Sequence, residues 1–194
     1  MMGNVTEEDR KTIARILKVN HAGEYGAIRI YRAQLLVIGL FFKELAPQFR
    51  SILGHEVAHC DKFKAAMLSR NARPCRAMWF WSIGGYLLGL ATALMGRNAI
   101  MACTEAVESA VHVHMSDQII FLKDRDAPLR VLIEEIKVEE LEHLHYAEQQ
   151  LKPGLFAKIL QKVVTKATDT VIWLSTQGDV SRMKQGLKTA GTAC

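Results

Sequence analysis

Proline is scarce in this chain: four in 194 residues, at positions 47, 74, 128 and 153. So few breaks favour long helices over a many-turned β-sandwich. The four cysteines, Cys60, Cys75, Cys103 and Cys194, form no C-x-x-C pair. They read as free thiols in a reducing compartment. Charge of one sign is not dominant either: 25 Lys and Arg against 20 Asp and Glu leave +5. With no P-loop, no G-x-G-x-x-G and no interleaving of basic and aromatic residues, nucleic acid is not an expected partner. The opening MMGNVTEEDRKTIARIL lacks the apolar core of a secretory signal and the acid-poor character of a transit peptide. The expectation is that no address is needed or that one has been removed. What the chain does have is a hydrophobic fraction of 49%, which excludes disorder. Its length suits one domain with a substantial core.

Helical periodicity dominates. Ile13, Ile16, Leu17, Asn20, Glu24, Ala27, Tyr31 and Leu35 recur at three- and four-residue steps and share one face. Ile52, Glu56, His59, Phe63 and Ala66 form a second face, stopped by Pro74. A third helix spans about 99–122, aligning Met101, Thr104, Glu108, Val111, Met115 and Gln118. A fourth starts with Asp126 as cap and Pro128 in the first turn, aligns Leu129, Leu132, Ile136, Glu140, His143 and Ala147, and breaks at Pro153-Gly154. A fifth runs from Phe156 to about Leu174. The predicted organisation is a single domain over 1–174 and a flexible basic tail over 175–194.

Between the second and third helices, residues 77–96 (AMWFWSIGGYLLGLATALMG) carry no charge and are bracketed by Arg76 and Arg97. That length makes the segment a candidate for crossing a membrane. Its four glycines weaken it as a straight helix.

Carboxylates on apolar faces are the anomaly. Glu24, Glu56, Glu108 and Glu140 stand where core residues belong, and an ionised carboxylate there is costly unless paired or metal-bound. Two of them are followed three residues later by histidine, as Glu56-x-x-His59 and Glu140-x-x-His143. That spacing projects both side chains from one side of a helix. Glu56 follows Glu24 by 32 positions, and Glu140 follows Glu108 by the same 32. The second half thus restates the first, displaced by 84 residues. One Glu-x-x-His alone ordinarily marks a solvated face. Two copies on core-facing positions, each with its upstream Glu, describe a four-helix di-iron or di-manganese carboxylate bundle. His21, His55 and His114 have no histidine at the repeat position and fall outside the set. His114, close to the face of Glu108, is the expected hydrogen-bonding partner of a ligand. Ala27, Tyr31, Val111 and Ala147 read as core packing, with a hydrogen bond near the metals as the alternative for Tyr31.

At these residues the chain resembles the demethoxyubiquinone hydroxylases, flavin-independent di-iron monooxygenases of ubiquinone biosynthesis. The likeness rests on Asn20-His21-Ala22-Gly23-Glu24-Tyr25-Gly26-Ala27, Glu56-x-x-His59, Ala102-Cys103-Thr104-x-Ala106-Val107-Glu108 and Glu139-Glu140-Leu141-Glu142-His143, and covers about 15–174. It implies an all-α, ferritin-like four-helix bundle with an inserted apolar, membrane-interacting segment and an additional C-terminal helix. It implies that Glu24, Glu56, His59, Glu108, Glu140 and His143 hold two Fe ions, with Glu56 and Glu140 bridging. It also implies a polyprenyl quinol substrate, NADH as electron donor with Arg15 on its side, membrane lipid, and a lipid-binding accessory protein; a homo-oligomer is a further possibility. Trp173 and Gln177 stand where the family tends to have a tyrosine and an arginine.

The ligand set constrains the apolar segment. Glu24, Glu56 and His59 precede it, while Glu108, Glu140 and His143 follow it. One full crossing would strand half the ligands on each side of the bilayer. The expectation is a segment that folds back or lies in the interface, with Trp79, Trp81 and Tyr86 at the headgroup boundary. The alternative is a hydrophobic helix buried in a dimer contact. Lys158, Lys162 and Lys166 add a basic edge to the fifth helix, suited to an anionic leaflet or to plain solvation. The corresponding location is a monotopic position on the cytoplasmic face of a bacterial inner membrane, or on the matrix face of a mitochondrion. The competing function is an iron-storage or peroxide-scavenging bundle using the same ligands.

Overall fold

Thr6 begins the first helix with a reciprocal cap: its hydroxyl accepts from the Asp9 amide, and the Asp9 carboxylate accepts from the Thr6 amide. In the computed structural model, which describes residues 5–191 and side chains through 185, helix α1 (Glu7–Phe41) then continues for 35 residues. A single turn of 3-10 helix, Lys43–Leu45, reverses the chain into α2 (Ala46–Leu68), with Pro47 in its first turn. Asn71, at φ 52°, and then Pro74 end that hairpin. Helix α3 (Met78–Leu94) and a turn at Gly96 (φ 100°) lead into α4 (Arg97–Leu122). Asp126 caps α5 (Ala127–Gln150) by accepting from the Leu129 amide. The same carboxylate takes a two-pronged bond from Arg70 at 2.6 and 2.7 Å, tying the end of α2 to the start of α5.

Every regular element among the described residues is helical. α1 packs against α2 and α3, α4 against α5 and α6 (Leu155–Ser175). The two hairpins α1/α2 and α4/α5 are the two copies of the sequence repeat. Their apolar stripes build two main cores, with a smaller cluster of Ile30, Cys103 and Ala106 packed against Val164. Ile16, Leu17, Phe63, Met67, Met115, Leu129 and Ile136 pack at one level. Tyr31, Ile38, Phe49, Ile52, Ile100 and Met101 pack at another. The four acidic positions lie in sequence between these levels on every helix, so a polar layer is enclosed by apolar ones.

Residues 78–94 form one continuous helix despite their glycines, and these set how closely it approaches α1. A Cβ on Gly89 would lie 2.3 Å from the Ile30 carbonyl oxygen, and one on Gly85 2.5 Å from that of Gly26. The expected weakness of the segment is therefore offset by backbone-to-backbone packing. Its other side bears exposed Trp79, Phe80, Ile83 and Leu87. Among the described residues no helix is long and apolar enough to cross a membrane.

The tail expected to be flexible from residue 175 differs most. Gln177 (φ 53°) and Gly178 (φ 81°) make a turn, and α7 (Asp179–Gly191) follows. Val180 and Met183 are buried in the first apolar core, and Arg15 and Arg182 tie the helix to α1. Among the described side chains, these two apolar anchors are joined by ion pairs to α1. Cys60, Cys75 and Cys103 are free thiols, while Cys194 lies outside the described residues.

Candidate metal centre

Each side chain of the centre comes from a different helical turn facing inward. α1 supplies Glu24, α2 supplies Glu56 and His59, α4 supplies Glu108, and α5 supplies Glu140 and His143. All six are buried, none more than 5% exposed. They form two overlapping quartets, Glu24–Glu56–His59–Glu140 and Glu56–Glu108–Glu140–His143, with one potential ligand atom from each residue within 4.8 Å of the others. Glu56 and Glu140 belong to both quartets, the placement that two bridging carboxylates would need.

Both histidines turn Nδ1 towards the carboxylates. His59 Nδ1 lies 2.8 Å from Glu140 Oε1 and 3.9 Å from Glu24 Oε2. His143 Nδ1 lies 3.2 Å from Glu140 Oε2 and 3.4 Å from Glu56 Oε1. Proximity does not satisfy these atoms. Glu56 Oε1, His59 Nδ1 and Glu140 Oε1 are buried without an aligned hydrogen bond, despite the short His59–Glu140 approach. Unpaired buried acceptors are costly, and they are what a cation would engage.

The electrostatics agree. Burial, then the neighbouring carboxylates, pushes Glu24, Glu56 and Glu108 well above the ordinary carboxylate range. Burial also raises Glu140, but the hydrogen bond to His143 and the close approach of His59 outweigh it and hold that carboxyl low. Four crowded carboxylates and two imidazoles have the donor set and charge to hold two divalent ions. The residues present therefore fit a two-metal group.

Three residues outside the six carry more than packing. Tyr31, expected as core, is buried and also donates its hydroxyl to Glu108 Oε1. His55 falls outside the repeat-matched set, and it is offset by about a hundred degrees from Glu56 around the helix. That offset lets its Nδ1 reach His143 Nε2 of α5 at 2.9 Å. Glu139, the repeat equivalent of His55, reaches His59 Nε2 at 3.0 Å. The sequence signal was available: both stand immediately before the Glu of a Glu-x-x-His motif. His114 does not bond to a member of the cluster. Its Nε2 meets Asp169 of α6 at 2.8 Å, and its Nδ1 is buried without a partner. Arg15 is engaged as well, donating to Asp179 and to Gln177 Oε1.

A cavity of about 310 Å³ opens against the cluster. Glu24, Glu56, Glu108 and Glu140 form part of its wall. Trp81, Gly84 and Leu88 of α3, Val111 of α4 and Val171 of α6 make most of the remainder apolar. His114, Asn20 and Gln118 are polar exceptions, and the two amides bond reciprocally at 2.8 and 3.0 Å.

Sequence comparison places these features in a family. The model of "Ubiquinone biosynthesis protein COQ7" matches residues 11–175, spanning the cluster and every wall of the cavity. The chain belongs to the COQ7 family. Among its relatives, the NADPH-dependent 3-demethoxyubiquinone 3-hydroxylase of Dictyostelium discoideum is 38% identical over 172 residues, covering 87% of this chain and 78% of that one. The 3-demethoxyubiquinol 3-hydroxylase of Rhodospirillum rubrum is 36% identical over 183 residues, covering 89% and 85%. The human NADPH-dependent 3-demethoxyubiquinone 3-hydroxylase, described as mitochondrial, is 35% identical, covering 86% and 78%. In this COQ7-family chain, the expected family donor NADH stands beside relatives whose names specify NADPH.

Proposed function

We propose that the protein is a 3-demethoxyubiquinol 3-hydroxylase, using O2 and two iron ions to add a hydroxyl to the ring of a polyprenylated demethoxybenzoquinol. The observation that carries this reading is the cavity: an apolar chamber whose wall includes all four carboxylates of the candidate centre. A store or scavenger of iron has no need of an apolar chamber against its metals; a flat, lipophilic ring does.

In this reading the fold is a ferritin-like bundle. Glu24, Glu56, His59, Glu108, Glu140 and His143 hold the iron, with Glu56 and Glu140 shared. When bound, the two ions supply the redox chemistry that activates O2. The chain supplies the surroundings. Trp81, Leu88 and Val111 enclose the ring and keep bulk water from it. With the Asp169 carboxylate accepting from Nε2–H of His114, Nδ1 of this cavity-lining residue is left as a buried acceptor without a partner. A quinol hydroxyl donating to Nδ1 orients the ring, and Asp169 stabilises the imidazole should it take that proton. A nicotinamide cofactor supplies electrons, with Arg15 assigned to its side.

The exposed side of α3 and the lysines of α6 flank this chamber's helices and suit a monotopic position on a membrane that holds the substrate. The relatives' names point to a mitochondrial or bacterial setting. An accessory lipid-binding protein or a second copy of the chain would meet the same apolar side.

The test is turnover of a short-tailed demethoxyquinol by protein reconstituted anaerobically with Fe(II), then given NADH or NADPH and isotopically labelled O2. Label in the ring of the product, seen by mass spectrometry and lost in Glu140→Ala, is the expected result. Unlabelled product, or normal turnover by that variant, overturns the assignment.

A further inference from the structure

The 84-residue repeat makes the two halves of the centre equivalent by sequence, so any difference between them can be read position by position. Glu24 corresponds to Glu108, His59 to His143, His55 to Glu139 and Tyr31 to Met115. The last two correspondences are chemically unequal.

Consider first the outward nitrogen of each histidine. With Nδ1 given over to a metal ion, the one proton of each neutral ring sits on Nε2 and points outward. His59 donates to the Glu139 carboxylate at 3.0 Å. His143 Nε2 instead faces a ring nitrogen, Nδ1 of His55, at 2.9 Å. A carboxylate makes the imidazole more basic and a better donor to a metal; a second imidazole does so less. Lys62, 3.5 Å from Glu139 and half-exposed, tempers the negative charge without reaching the histidine.

The terminal carboxylates differ in the same sense. Tyr31 donates its hydroxyl to Glu108 Oε1, drawing electron density from that oxygen and occupying one of its lone pairs. At the repeat-equivalent position on α4 stands Met115, which has no proton to donate. One half therefore combines a carboxylate-backed histidine with a glutamate whose repeat-matched residue, Met115, donates no proton. The other combines an imidazole-backed histidine with a glutamate that already accepts a bond. Neither difference follows from the ligands themselves, which are the same types in both halves.

We infer that the two cation positions are unequal in affinity, the Glu24–His59 position filling before the Glu108–His143 position, with Glu139 and Tyr31 as the positioning residues that set the difference. The inference rests on the two-metal reading above and extends it to the order of loading. A stronger and a weaker position would leave one ion firmly held, while the other keeps looser coordination next to the cavity.

The experiment titrates Mn(II) alone into the full-length metal-free protein, followed by calorimetry and electron paramagnetic resonance. Two resolved steps are expected, with a mononuclear spectrum at one equivalent giving way to a spin-coupled pair at two. Glu139→Gln should weaken the first step by about 10- to 100-fold and bring the steps together. Tyr31→Phe should leave the first step in place and tighten the second. Two indistinguishable steps in the parent protein, or a Glu139→Gln variant that weakens only the second step, overturn the inference and leave the metal centre standing. Failure to bind any Mn(II) overturns the metal centre and the inference with it. Normal far-ultraviolet circular dichroism in both variants separates an altered site from a lost fold.

Discussion

The guanidinium of Arg15, midway along the first half of α1, donates to the carboxylate of Asp179, the first residue of α7. A second donation, at 2.6 Å to Gln177 Oε1, fixes the turn that precedes that helix. Asp179 is buried, so its removal leaves a partly buried cation without its partner. Asp179→Ala should cost about 1–3 kcal/mol, concentrated in α7. Hydrogen exchange should show faster opening of α7 with α1 unchanged. If Arg15 serves a nicotinamide in addition, the same variant lowers KM for that cofactor by freeing the guanidinium. A variant as stable as the parent would mean that Val180 and Met183 alone hold the helix.

The cluster dictates how the metal-free protein responds to pH. Burial and neighbouring carboxylates raise Glu24, Glu56 and Glu108, so the folded chain binds their protons more tightly than the unfolded chain does. Their contribution is full below the unfolded value of about 4.3 and is lost as pH rises through the raised folded values. Glu140 contributes in the opposite sense, present above its unfolded value and lost as pH falls through its depressed one. Three raised groups against one lowered group set the net sign. Calorimetric Tm of the metal-free protein should therefore fall as pH rises from the ordinary carboxylate range towards neutrality and above. Saturating Mn(II) should reverse that slope, because metal binding requires the deprotonated ligands. Glu56→Gln should raise the metal-free Tm at neutral pH and above and remove the stabilisation by Mn(II). A metal-free Tm that climbs with pH would show that the carboxylates are not mutually repelling.

Much of this was written in the sequence because helical periodicity and polar exceptions to it are both visible there. Glu24, Glu56, Glu108 and Glu140 occupied apolar phases, and two helices placed histidine at the fourth residue of Glu-x-x-His. That they meet follows from the bundle. The caps at Asp126 and Pro128 and the break at Pro153-Gly154 marked helix ends to within a residue or two. What escaped was contact between helices. His55 and Glu139 point away from their own helix's inward face, and only the spacing of α2 and α5 brings each to the opposite histidine. Tyr31 looked like core because burial and hydrogen bonding to Glu108 leave the same apolar-periodic mark. Helix α7 does carry a periodic signal, Val180, Met183, Leu187 and Ala190 at three- and four-residue steps, which the expectation of a flexible tail passes over.

Glycine in α3 is a test of how that helix is held. Gly89 lies against the backbone of Ile30, where an added Cβ would meet the carbonyl oxygen at 2.3 Å. A backbone atom cannot swing aside as a side chain does. Gly89→Ala should therefore force α3 from α1 at a cost of about 1–3 kcal/mol. Gly84, on the same helix, has nothing within 4 Å of its added Cβ. Gly84→Ala should gain about 0.5–1 kcal/mol through helix propensity alone. Urea denaturation of the two variants reads the difference directly. Equal effects would mean that the glycines are tolerated for helix flexibility and not for close approach.

The exposed stripe on α3 makes a quantitative claim about membranes. Trp79, Ile83 and Leu87 recur every four residues, each more than half exposed, so they form one ridge on the side away from α1. Fully burying a large apolar side chain is worth about 1.5–3 kcal/mol, and half of that for three residues exceeds the 1.4 kcal/mol of a tenfold change. The triple variant Trp79→Ser, Ile83→Ser, Leu87→Ser should therefore lose at least about tenfold in binding to phosphatidylcholine vesicles, measured by co-sedimentation. Lys158, Lys162 and Lys166, all exposed on α6, should act differently. Replacing them by glutamine should leave neutral vesicles unaffected and weaken binding to anionic vesicles by about 1 kcal/mol per lysine, the loss vanishing at high salt. Undiminished vesicle binding by the α3 triple variant would sink the monotopic reading and assign the ridge to a protein surface instead.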